Sequence, residues 1–182
     1  MLCFAICFIA GKQLTAQNNY QLPPNQPEQD ACHALQLCGG SFFTPYSYTG
    51  SGKKLDLDAT PCSPQPGGGE TNSVWLQIHT ASAGSVVFKI QPVNPTDDYN
   101  FAVLNITGKD CGSLTYNDVV RCNYTTNIPG SNTNGITGLA DTSRTSFIPP
   151  SLIGWAFAQP VFARANETYL IMINNSNPAA GG

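Results

Sequence analysis

The clearest pattern in the chain is an alternation of apolar and polar positions with a period of two, beginning at Glu70 and recurring to the end. In an extended strand successive side chains point to opposite faces, so this period predicts strands. Asn72 to Thr80 places Val74, Leu76 and Ile78 on one face and Trp75, Gln77 and His79 on the other. Ala83-Gly84 then reads as a turn into Ser85 to Ile90, which predicts a hairpin between these two strands. Tyr99 to Ile106 is apolar on both faces, the mark of a strand buried on both sides. Gly154 to Phe157, Pro160 to Ala163 and a strong run from Thr168 to Ile173 complete the series. No segment of useful length shows a helical period. The expected fold is all-β, an antiparallel jelly-roll-like sandwich.

The first half is organised differently. Leu2 to Ala10 is an unbroken apolar run of about ten residues, half of what a bilayer requires, followed by the small residues Thr15 and Ala16. This is the layout of a secretory signal, so residues 1–17 are expected to be removed on export. Residues 18–30, rich in Asn, Gln and Pro, read as a flexible leader, and residues 31–182 as one sandwich domain. Ala31 to Cys38 is expected to form a helical turn or two held by cysteine, and Pro61 to Gly69 a loop. Thr125 to Thr137, rich in Asn, Gly and Thr, reads as a long loop.

Composition narrows the chemistry. Charged residues make up 10% of the chain and the net charge is -3, so no basic surface exists to hold nucleic acid. No later apolar stretch approaches membrane-spanning length, so no membrane insertion of the mature domain is expected. Beyond the signal five cysteines remain, an odd number, in what should be an oxidising compartment. The short spacing predicts a bridge between Cys111 and Cys122, and a second between two of Cys32, Cys38 and Cys62, leaving one thiol over. Zinc is not indicated, because no CxxC or HxxxH spacing occurs.

Three motifs carry a resemblance: Gly69-Glu70-Thr71-Asn72-Ser73-Val74-Trp75, Gly84-Ser85-Val86-Val87-Phe88-Lys89-Ile90, and Asp97-Asp98-Tyr99-Asn100-Phe101-Ala102-Val103. With Ala165 to Asn175 they resemble the amino-terminal sandwich of Bacteroidota gliding-motility-associated surface proteins exported by the type IX route, and more distantly the pre-peptidase C-terminal domain. The resemblance implies an extracellular, cell-surface location and a further final strand after Gly182, so that this chain is expected to be a fragment with an open sheet edge. Such an edge is a template for strand addition by sibling subunits.

Candidate sites follow from residue type. Asp97, Asp98 and Asn100, joined by Glu70 and Asp141, offer the oxygen ligands that calcium takes, although Asp also favours a turn after Pro95. Trp155, Tyr46 and Tyr48 offer stacking faces for a glycan, while Trp75 is expected in the core. No GxSxG, HExxH or phosphate-binding loop is present, and no catalytic residue is assigned. The sequence thus points to a structural or adhesive module, gliding-associated or filament-forming, that contacts a surface glycan, a protein partner or sibling subunits. The alternative is a carbohydrate-binding or pre-peptidase accessory module of an extracellular hydrolase.

Overall fold

The computed structural model describes residues 22–38, 40–94, 97–126 and 135–176. The expected signal, residues 1–17, and residues 127–134 of the predicted long loop lie outside these. The described strands are β1 (Leu35–Gln36), β2 (Ser73–His79), β3 (Gly84–Val86), β4 (Phe88–Ile90), β5 (Tyr99–Asn105), β6 (Val119–Asn123), β7 (Thr137–Leu139), β8 (Phe147–Ile148), β9 (Phe157–Ala158), β10 (Val161–Ala163) and β11 (Thr168–Asn175). Helical structure among the described residues is confined to 3-10 turns of three residues. The fold is an all-β sandwich, as the period of two predicts.

A six-stranded sheet in the order β1-β2-β11-β5-β6-β8 forms the central layer. Its inner pairs are antiparallel, whereas β1 joins β2 and β8 joins β6 in parallel, so the expectation of a wholly antiparallel sheet is corrected at both edges. A three-stranded sheet, β4-β7-β9, and a two-stranded sheet, β10-β3, make the facing layer. The central strands bury both of their faces. Val74 and Leu76 of β2, Phe101 and Val103 of β5, and Tyr169 and Ile171 of β11 pack toward the smaller sheets. Trp75, Ala102, Leu104, Leu170 and Met172 point the other way, into a second core. Trp75 is fully buried there, as expected.

That second core has no sheet over it. It is covered by the irregular first third of the chain, where Ala31, Leu57 and Cys62 supply the facing surface. Two disulfides fasten this cover. Cys62 joins Cys122 (Cα separation 6.0 Å) and Cys32 joins Cys111 (5.1 Å). The predicted Cys111–Cys122 bridge is therefore corrected, as is a bridge within the set Cys32, Cys38 and Cys62. The reason is direction: Cys122 projects from β6 into the buried core beneath the cover, while Cys111 sits on a 3-10 turn at the surface. Cys38 carries the unpaired thiol and is exposed.

Two further expectations change. Residues 22–30 are not a loose leader. Gln29, fully buried, donates from Nε2 to the carbonyls of Thr49 and Gly50, and Asp30 Oδ1 accepts from the amides of Lys53 and Lys54. These polar side chains satisfy loop backbone that would otherwise be buried without partners. Nor do β2 and the following strands form a hairpin. All seven residues of β2 find partners on β11. The next stretch breaks at the exposed Val87 into β3, which pairs with β10, and β4, which pairs with β7. The chain thus crosses to the facing layer instead of turning back.

Candidate functional site

The predicted calcium set does not come together. Glu70 lies in the second core with both carboxylate oxygens engaged. Oε1 accepts from Ser73 Oγ (2.6 Å) and Trp75 Nε1 (2.8 Å), and Oε2 from the amides of Asp56 (2.9 Å) and Leu57 (3.4 Å). Burial drives its pKa up to about 7 against the pull of these donors. Glu70 is a structural clasp between the cover and β2. Asp97 is buried at the entry to β5, which raises its pKa, and Asp98 gives its carbonyl to the amide of Ser176. Asn100 donates to Ser176 Oγ. Asp141 sits in an exposed turn after β7, where its carbonyl accepts from Arg144. Among the described residues no three of Glu70, Asp97, Asp98 and Asp141 bring oxygens within 4.8 Å of one another. Cys32, Asp110 and Cys111 do meet that distance, but both sulfurs are spent in the disulfide. With two donors on each oxygen, Glu70 has its carboxylate committed to the cover and to β2.

The aromatic platform divides. Tyr48 is core: it is 7% exposed and donates its hydroxyl to Glu28 Oε1 at 2.9 Å. Burial and this carboxylate both raise its pKa. Trp155 is half exposed on a turn fixed by Asn123 Nδ2, which donates to the Trp155 carbonyl (2.8 Å). Tyr46 is exposed and lines a groove of about 310 Å³ between the layers.

Tyr48 lines this groove too, so two of the three predicted platform residues meet there, while the rest of its lining was missed. Its floor is the facing-layer side of the central sheet, Val74 and Leu76 from β2 with Ile171 and Ile173 from β11. One wall is the loop carrying Phe42, Phe43 and Tyr46, and the other is the stretch from Val87 to Val93 that includes β4. Phe43 is 74% exposed and Val93 63%, so apolar groups stand at the rim in water. Asn72 and Asn175 are the amides at its end, where Asn72 Nδ2 donates to the Asn175 carbonyl. Tyr99, also lining it, has its pKa raised to about 12 by burial and the nearby Asp97. The signal available in the sequence was Phe42-Phe43 among polar and turn residues, an aromatic pair with no strand period to bury it.

The lining is mostly apolar and aromatic, with Lys89 its one charged side chain among the described residues. No helix among the described residues is long and apolar enough to cross a membrane. Comparison of the chain with protein-family models, with curated proteins and with solved structures finds no match.

Proposed function

We propose that this chain is an adhesive module of a secreted bacterial surface protein, which makes contact through the groove walled by Phe42, Phe43 and Tyr46. The observation that carries the reading is the exposure of apolar side chains at the rim of a concave site: Phe43, Val93 and Val87 are 74%, 63% and 48% exposed around one opening. Clustered apolar exposure on a folded domain marks a surface that another molecule covers. Two disulfides, with separations of 60 and 79 residues, support an oxidising extracellular setting and a rigid, protease-resistant unit. The motif resemblance supports the same location and the class of type IX-secreted surface proteins. Glu70, its oxygens occupied, supports a binding role over a carboxylate-pair hydrolase.

A second reading, a carbohydrate-binding accessory module, draws on the exposed rings of Tyr46 and Trp155. Glycan and extracellular-protein arrays probed with the wild type, Tyr46→Ser and Trp155→Ala decide between the surfaces. Binding that falls about tenfold or more in Tyr46→Ser and is unchanged in Trp155→Ala, with both variants melting as the wild type does, supports the groove. Loss in Trp155→Ala alone moves the contact to the turn that carries it.

A further inference from the structure

Seven consecutive residues, Val87 to Val93, line the groove. Side chains of an extended segment alternate between faces, so an unbroken run of lining positions means that the chain presents its edge, and hence its backbone, to the opening. Among the described residues β4 is a terminal strand of its sheet: Phe88, Lys89 and Ile90 pair with β7 on one side. The other side borders the groove. Below it the floor offers aliphatic side chains at alternating positions, Val74 and Leu76 of β2 and Ile171 and Ile173 of β11, and ends at the amides Asn72 and Asn175.

Charge limits what fits. Lys89 is the one charged side chain among the described lining residues, and no carboxylate lines the groove in a chain that carries 11 of them. A charged group entering over the aliphatic part of the floor would be desolvated, and only an anionic one would meet a counter-charge, Lys89 on the wall, so a neutral segment fits best. Sugar hydroxyls find polar partners at the Asn72 and Asn175 end but meet the same difficulty over the aliphatic part of the floor. An extended polypeptide does not, because its amides turn sideways to the strand edge and its apolar side chains turn down.

We infer that the groove takes an extended segment of a partner polypeptide, uncharged and apolar at alternate positions, added as a strand to the free edge of β4. This rests on the reading of the groove as the contact surface. About seven residues of the partner match the stretch from Val87 to Val93, since both strands rise roughly 3.3 Å per residue. The strand's main-chain bonds supply affinity and the pockets over Val74 and Ile171 select its side chains.

The test uses the isotope-labelled domain and a blocked heptapeptide alternating threonine with valine or isoleucine, followed by amide chemical shifts. Two further peptides carry N-methyl groups on alternate residues, one set along each edge. Saturable shifts in the amides of Val87 to Gln91, with one N-methyl set binding about tenfold more weakly or worse and the other set unaffected, are expected. Equal binding of both methylated peptides, or no shift on adding the parent peptide, overturns strand addition. If a neutral oligosaccharide such as cellohexaose shifts these amides where the peptide does not, the groove remains the contact surface but its ligand class is wrong. If neither probe shifts them, both readings fall. Shifts that depend on the concentration of the domain alone assign the edge to a second copy and reject a separate partner.

Discussion

Replacing Cys62 and Cys122 together by serine is expected to lower the stability of the domain by about 4 kcal/mol, enough to unfold much of a marginal protein at 37 °C. The bridge closes a separation of 60 residues, and the chain-entropy treatment of a loop that long gives a loss of this size. Both sulfurs are buried, at 1% and 0% exposure, so the serines would also leave hydroxyls in the core that contains Trp75 and Met172. The outer bridge spans 79 residues, but Cys32 is exposed, so its loss removes the entropic share with little damage to packing. Denaturant unfolding of Cys62→Ser/Cys122→Ser beside Cys32→Ser/Cys111→Ser should show the inner pair as the costlier. A larger loss from the outer pair would mean that the cover is not anchored through this core.

The second large effect concerns Glu70. Glu70→Ala leaves the indole N–H of Trp75 and the amide of Asp56 without acceptors inside the protein, an expected loss of about 3 kcal/mol or more. Its titration adds a pH signature. The folded pKa of about 7 lies above the ordinary glutamate value of 4.5, so folding favours the protonated form. Stability from this group is fully present below about pH 4.5 and falls as the pH rises to 7, by an amount on the order of 3 kcal/mol. The protonated acid can still accept from Trp75 and Asp56 while donating to Ser73 Oγ, which explains why neutralising it is tolerated. Glu70→Gln cannot do the same, since its amide nitrogen must face either the indole or the backbone N–H groups. It should lose about 1 to 2 kcal/mol at pH 5, and its stability should stay flat where the wild type's declines. Unfolding curves at pH 5 and pH 8 for both proteins check this, and parallel declines would remove Glu70 as the source.

Much of the central layer was legible because it obeys a local rule. β2, β5 and β11 each carry the alternation that fixes which side chain faces which layer, and the double burial of β5 followed from apolar residues on both faces. What failed was the choice of partner, which local pattern does not encode. Ser73–His79 pairs with a strand almost a hundred residues later, because that strand matches it over its full length while the adjacent one breaks at Val87. The disulfides failed for the same reason: Cys111 and Cys122 are close in sequence, yet one lies at the surface and the other beneath the cover. Polar composition misled at residues 22–30, where Gln29 and Asp30 are buried as hydrogen-bonding partners of loop backbone. Glu70 looked like a free ligand because its acceptor role depends on Asp56 and Leu57, brought to it by the folded cover. Only Tyr46 and Tyr48 of the groove were legible, because its two walls and floor come from four separate stretches of chain.

The central claim is that the folded domain keeps one apolar groove open to water as its contact surface. The measurement that tests it most directly is titration of the native protein with the fluorescent apolar dye bis-ANS, with near-UV circular dichroism recorded at each point to show that packing is intact. Saturable binding of about one equivalent, lost in Phe43→Ser/Val93→Ser without a change in melting temperature, is the predicted result. Native protein that takes up no dye, or a variant that binds as the wild type does, would contradict it.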